Sequence, residues 1–188
     1  MSSKINVIDI VRGHLCTFCD ADSQKVSLYD IFTFFIVPLG VVGVCLFFRF
    51  SLTDSITSLL VNFGAIFTAL LLSVLVLVYD QGSKIDNKVE ALKDAKKHIA
   101  PAFGTRKKLL NQLYYNICYA ILLSISLVVF CVLESVSRGH VIEIEKFDSF
   151  VIDLSAWLLM PIVIFISLHL VLTILMIIKR MHTLLTTE

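Results

Sequence analysis

ITSLLVNFGAIFTALLLSVLVLVY, residues 56–79, contains no Asp, Glu, Lys or Arg and lies between Asp54 and Asp80. At ~1.5 Å per residue, a helix of this length exceeds the ~30 Å of a bilayer's hydrocarbon core. Lipid offers no partner to backbone N–H and C=O groups, so a segment that crosses it must close its hydrogen bonds internally, as a helix. Three further blocks lack charge in the same way: residues 31–48 between Asp30 and Arg49, 113–133 closed by Glu134, and 154–178 between Asp153 and Lys179. The whole chain is 57% hydrophobic and only 16% charged, against about 25% charged in a soluble domain. The expected fold is an all-α membrane protein with four transmembrane helices in two hairpins.

Outside the blocks, the basic residues are distributed unevenly. Lys4, Arg12, Lys25, the lysines and arginines of residues 84–108, Lys179 and Arg180 fall on one side; Arg49, Arg138 and Lys146 fall on the other. Basic loops stay in the cytoplasm, so both termini and the central connection are expected there. Tyr29, Tyr79, Tyr114 and Tyr115 then lie at the inner interface and Trp157 near the outer one, where amphipathic rings prefer to sit. The first 30 residues scatter Lys4, Asp9, Arg12, Asp20, Asp22, Lys25 and Asp30 where a cleavable signal would place an apolar core, so the first helix is expected to serve as its own insertion signal. The resulting organisation is a cytoplasmic amphipathic arm (1–30), a transmembrane hairpin (31–79), a cytoplasmic basic stalk and connector (80–112), a second hairpin (113–178) with an outer loop (134–153), and a cytoplasmic tail (179–188).

The connector KIDNKVEALKDAKKHIAPAFGTRKK, residues 84–108, is the most charged part of the chain. One role for its lysines is to fix topology. Its pattern suggests more. Ile85, Val89, Leu92 and Ile99 recur at helical spacing, and Glu90 and Asp94 stand within reach of Lys93, Lys97 and His98 on such a helix. Pro101 and Gly104 are expected to end it. The second membrane helix thus continues into the cytosol as a stalk, with Gly82 a possible bend. Its apolar stripe needs cover: other copies, the N-terminal arm, or another protein. Direct nucleic-acid binding is disfavoured, because Asp86, Glu90 and Asp94 dilute the charge and no aromatic is interleaved for base stacking. Arg106, Lys107 and Lys108 form the one clean basic cluster, next to a membrane helix, where lipid headgroups are the usual contact.

HLCTFCD, residues 14–20, is the one motif suggestive of chemistry. His14, Cys16 and Cys19 could begin a zinc half-site, but no second ligand pair follows on the same side. A redox dithiol would sit in a thioredoxin-like βαβ pattern, which is absent from the sequence. Ile5, Ile8, Val11, Leu15 and Phe18 have helical spacing, and an interfacial or docked helix is favoured over a metal site. No metal and no cofactor are expected. The five cysteines do not suggest a disulfide framework, and Cys45, Cys118 and Cys131 read as small packing residues.

Polar groups inside the blocks are few. Asn62, Asn116 and His169 are expected at helix or subunit contacts, with His169 more readily a hydrogen-bonded packing residue than a proton gate. Gly40, Gly43 and Gly64 allow close helix approach, and Pro38 and Pro161 can kink the first and fourth helices. In the outer loop, HVIEIEKF (140–147) alternates in a way that suits a short strand. The sequence has no paired carboxylates in an apolar setting, glycine-rich phosphate loop or nucleophile elbow, so no enzyme is expected. Nor does an intramembrane charge mark a transport path. A pore built from several copies stays open.

The arm ending in SLYDIFTFF, the tight turn FRFSLTDS, the charged connection DNKVEALKDAKKHIAPAFGTRKK and the exit IIKRMHTLL resemble, in layout, the KwaA family of four-helix membrane subunits of the bacterial Kiwa anti-phage defence system. The resemblance covers the whole chain at the level of architecture. It implies a multi-pass protein of the bacterial inner membrane that forms a homo-oligomer, a tetramer, and senses phage-induced perturbation. It also implies a cytoplasmic DNA-binding effector as partner, with no direct nucleic-acid contact by this chain. The docking surface would comprise Lys93, Lys96, Lys97, Arg106, Lys107, Lys108, Lys179 and Arg180. The alternative is a pore-forming or depolarising effector, with Asn62, Asn116 and His169 facing the axis of the oligomer.

Overall fold

The computed structural model describes residues 7–18, 29, 32–95, 101–138, 141–143, 151–153 and 155–186. Helix α1 is Ile8–Cys16, α2 is Val37–Phe47 led by a π-helical turn Phe32–Ile36, α3 is Asp54–Asp94, α4 is Pro101–Ser137, and α5 is Met160–Thr186 led by a π-helical turn Ser155–Leu159. Between α4 and α5, β1 (Val141–Glu143) and β2 (Val151–Asp153) pair antiparallel, with Ile142 opposite Ile152. Part of the expected strand is therefore formed; residues 144–150 lie outside the described residues.

Three helices are long and apolar enough to cross a membrane: Asp54–Asp94, Phe103–Ser137 and Ser155–Leu184. The apolar helix Phe32–Phe47 is shorter. Helix α3 is continuous for 41 residues, roughly 60 Å, and passes through Gly82 without a break. Pro101 and Gly104 do not end the stalk as expected. Pro101 is the first residue of α4, where a residue without an N–H costs nothing because that donor has no partner in the first turn. Gly104 lies inside α4.

The two expected kinks take a particular form. Each π-helical turn ends two residues before a proline, Pro38 or Pro161. A helical proline cannot donate to the carbonyl four residues back, and its ring crowds that carbonyl, so the turn before it widens. The turn after α2 is tight. Arg49 adopts φ 50°, its N–H reaches Leu46 O at 3.1 Å, and Phe50 N–H reaches Cys45 O at 2.9 Å. This pair of bonds is the usual glycine-type helix stop, here with arginine in the left-handed conformation.

The chain forms two compact units. One comprises Met1–Ser27, Ala69–Ile121 and Thr173–Glu188, and the other Leu28–Thr68 and Leu122–Leu172. In the first, Leu71, Val78, Ile85, Leu110, Leu113, Ile117, Ala120 and Ile177 are buried together with Phe18 of the arm. In the second, Phe34, Val42, Leu52, Leu127, Cys131, Met160, Val163 and Leu170 form the core. Gly64 lets α3 and α4 meet closely there: an added Cβ would lie 2.8 Å from Val128 Cγ2 and 3.0 Å from the Ser124 carbonyl. Gly40 and Gly43 do not play that part, since nothing lies within 4 Å of a Cβ at either.

Candidate functional site

In the first unit, the extension of α3 runs beside the opening turns of α4. Ile85 and Leu110 are buried, so the apolar stripe of the stalk finds its cover within the chain. Val89 and Leu92 are half-buried, and Ile99 lies outside the described residues. The covering element, the first turns of α4, was not among the expected partners of the stripe. Lys107 pairs with Asp86 at 2.5 Å and Lys84 with Asp80 at 2.7 Å. Both pairs are largely exposed, so each contributes at most about 1 kcal/mol. Lys88, Lys93, Arg106, Lys108 and Lys179 are exposed. Lys96 and Lys97, expected on the docking surface, lie outside the described residues, as do His98, Cys19 and Asp20.

Arg180 is placed differently from expectation. It is half-buried, and its Nη2 donates to the Thr17 carbonyl at 2.7 Å. It therefore holds the end of α1. The arm is docked rather than surface-lying. Its Gly13 faces the Tyr115 ring so closely that any side chain there would overlap it. His14 is buried, stacks on Tyr119 with centroids 3.9 Å apart and meets the edge of Phe18 at 5.0 Å. Its Nδ1–H donates to Asn116 Oδ1 at 2.8 Å. Thr17 Oγ1 lies 2.6 Å from the His14 carbonyl and 2.9 Å from the same Asn116 oxygen. Asn116, expected at a helix or subunit contact, is thus fully buried against a helix of its own chain. Cys16 is exposed while His14 is buried, so the two do not converge. Among the described residues no cluster of three His, Cys, Asp or Glu side chains could hold a metal.

In the second unit, His169 is buried against Phe34, Phe35 and Phe165, and its Nδ1–H donates to the Phe34 carbonyl at 3.0 Å. That carbonyl stands four residues before Pro38, which has no N–H to offer it. The histidine replaces the donor that the proline removed, a repair neighbouring helices commonly make in membranes. Replacing His169 by alanine is expected to cost about 1–3 kcal/mol, the penalty of an orphaned buried acceptor. In a Pro38→Ala background the same substitution should cost clearly less, because alanine at position 38 restores the N–H. Unfolding of the four chains in detergent measures the coupling; strictly additive costs would dismiss this role. Asn62 differs from Asn116 and His169: it is exposed on α3.

The same unit contains a polar cluster whose charged members, Asp54, Glu134 and Arg138, the sequence showed only as block boundaries and loop charges. Glu134 is 2% exposed. Its carboxylate accepts from Arg138 Nη2 at 2.6 Å, Arg138 Nε at 3.1 Å, Ser155 Oγ at 3.1 Å and Thr57 Oγ1 at 3.3 Å. Arg138 also pairs with Asp54. The bond to Glu134 chiefly holds the Arg138 guanidinium above its ordinary range. The cluster joins the start of α3, the end of α4 and the turn that leads into α5. Both carboxylate oxygens of Glu134 have donors. No protein-family model, no curated protein and no solved structure matches this chain.

Proposed function

We propose that this chain is a non-enzymatic, multi-pass subunit of a bacterial inner membrane that forms a homo-oligomer and docks a cytoplasmic DNA-binding effector in anti-phage defence. Four helices span the bilayer in this reading. The first is the shortest, with Phe32–Phe47 covering roughly 24 Å, a mismatch that local thinning accommodates. Both termini and the α3–α4 extension face the cytoplasm, following the one-sided distribution of Lys and Arg. The low coverage of the apolar helices supports a membrane setting: only 17% of the apolar window of Asp54–Asp94, and 33% of those of the other two, is buried within the chain. So much uncovered apolar surface requires lipid or other copies against it.

The single observation that carries the docking reading is the basic helical extension itself. Helices α3 and α4 continue past their apolar blocks, seal their seam with Ile85 and Leu110, and leave Lys93, Lys108 and the nearby tail residue Lys179 exposed. A rigid cationic surface fits an acidic protein face and speeds its association. The pore reading is weaker, because Asn116 and His169 each bond within their own chain and only Asn62 remains exposed. The test is affinity purification in mild detergent with native mass determination. A homo-oligomer with a stoichiometric soluble partner is expected, and Lys93→Glu with Lys108→Glu and Lys179→Glu should release the partner while the oligomer persists. A homo-oligomer that retains no soluble protein would put the pore reading first.

A further inference from the structure

Two grooves flank the seam that Val78, Ile85 and Leu110 form between α3 and α4. In one, Asp86 and Lys107 face each other and neutralise the wall. The other has a volume of about 400 Å³ and is closed on its third side by Met181 and Leu184 of α5. Its described lining includes Lys84, Lys88 and Arg106 but no carboxylate. Lys84 is paired with Asp80, which stands outside the lining. Neither Lys88 nor Arg106 has an ion-pair partner among the described residues. Two uncompensated cations over an apolar floor make a site with excess positive charge and a place for hydrocarbon.

The height of the groove along the helices identifies what would fill it. Its floor includes Leu77 and Leu113, at the ends of the apolar blocks 56–79 and 113–133. Lys84 and Lys88 stand roughly 8 and 14 Å beyond Tyr79 along α3, and Arg106 roughly 10 Å before Leu113 along α4. The floor therefore lies where hydrocarbon ends, and the cations lie in or just above the headgroup layer, which is some ~5–8 Å thick. Tyr79 and Tyr114, on the neutral side of the seam, mark the same level. An amphipathic peptide would lie across a surface, whereas this cleft runs along the helices from an apolar end at Leu77 and Leu113 to a cationic end at Lys88 and Arg106, following the polarity of one lipid molecule.

We propose that this groove binds one anionic phospholipid of the cytoplasmic leaflet, its phosphate between Lys88 and Arg106 and an acyl chain along Leu77, Leu110 and Met181. The site rests on the membrane topology proposed above and is independent of any effector. Purified, delipidated full-length protein in detergent is titrated with phosphatidylglycerol and with phosphatidylcholine of the same acyl chains, and bound lipid is counted by native mass spectrometry. The first site is expected to prefer phosphatidylglycerol about tenfold, given the attraction each cation contributes at an anionic surface. Lys88→Gln with Arg106→Gln should reduce that preference to near unity at unchanged helicity, whereas Lys93→Gln with Lys108→Gln should leave it intact. Equal retention of the two lipids by the parent chain overturns the site, as does a preference that survives Lys88→Gln with Arg106→Gln. Inorganic phosphate displacing the lipid at equal concentration would mean that a free phosphate suffices, and also overturns it. Crosslinking from Lys88→Cys to a second copy in native membranes would replace the lipid with another subunit. Failure of the topology itself reads out separately, as a chain that alkaline carbonate releases from membranes.

Discussion

Glu134→Ala is expected to destabilise the protein by about 2–4 kcal/mol, the cost of taking one buried acceptor away from a cation and two hydroxyls at once. The carboxylate is 2% exposed and accepts from Arg138, Ser155 and Thr57. Alanine would take that acceptor from all three, and Asp54 would be the one carboxylate left to Arg138 in the cluster. The size of the effect comes from stranded polar groups rather than from the net strength of the pair. Glu134→Leu combined with Arg138→Leu should therefore be much milder, since both charges leave together. The exposed pairs Lys84–Asp80 and Lys107–Asp86 provide the contrast: alanine at either lysine should cost under about 1 kcal/mol. Equilibrium unfolding in detergent measures all of these. A Glu134→Ala loss no larger than that of Lys84→Ala would remove the cluster as the brace of its unit.

What could be read from the sequence follows from which interactions are local. Charge-free blocks and the helical stripe of the stalk are properties of one segment, and they yielded the all-helical class and the continuation of α3 past its apolar block, though the helix ends at Asp94 and not at Pro101. The docked arm was half legible: Ile8, Val11, Leu15 and Phe18 gave the helix, but nothing local showed that His14 would meet Asn116, 102 residues away. Pro101 was read as a stop because a proline after a periodic run commonly is one. Phe103, Leu110 and Leu113, at helical spacing after it, were the available signal that it opens α4. Arg180 looked like one more basic tail residue, because a carbonyl acceptor such as that of Thr17 leaves no mark in side-chain identity. The same holds for His169, whose acceptor is a backbone oxygen. Here, though, a clue was present: Pro38 creates an unserved carbonyl in an apolar block, and a buried donor must come from elsewhere.

Asn116→Ala is expected to loosen the arm by about 2–4 kcal/mol while leaving the long helices in place. The asparagine is fully buried and its one oxygen serves both His14 Nδ1 and Thr17 Oγ1. Removing it strands a buried ring N–H in a stack with Tyr119 and Phe18, and the least costly way to rehydrate that donor is to lift α1 away. A nine-residue helix has little stability of its own in water, so lifting should also unwind it. Amide exchange across Ile8–Cys16 should then accelerate by roughly thirty- to nearly a thousandfold, the same free energy read as an opening equilibrium. Gly13→Leu should produce the same result by overlap with Tyr115, through a different atom pair. Asn116→Asp keeps an acceptor in place and should keep the arm protected. Unchanged exchange in both Asn116→Ala and Gly13→Leu would mean that Phe18 and the Arg180–Thr17 bond suffice to hold the arm. If it does lift, Arg180 loses the Thr17 carbonyl and its guanidinium joins Lys179 at the surface. The arm's attachment would thereby set how much positive charge the α5 exit presents at the surface.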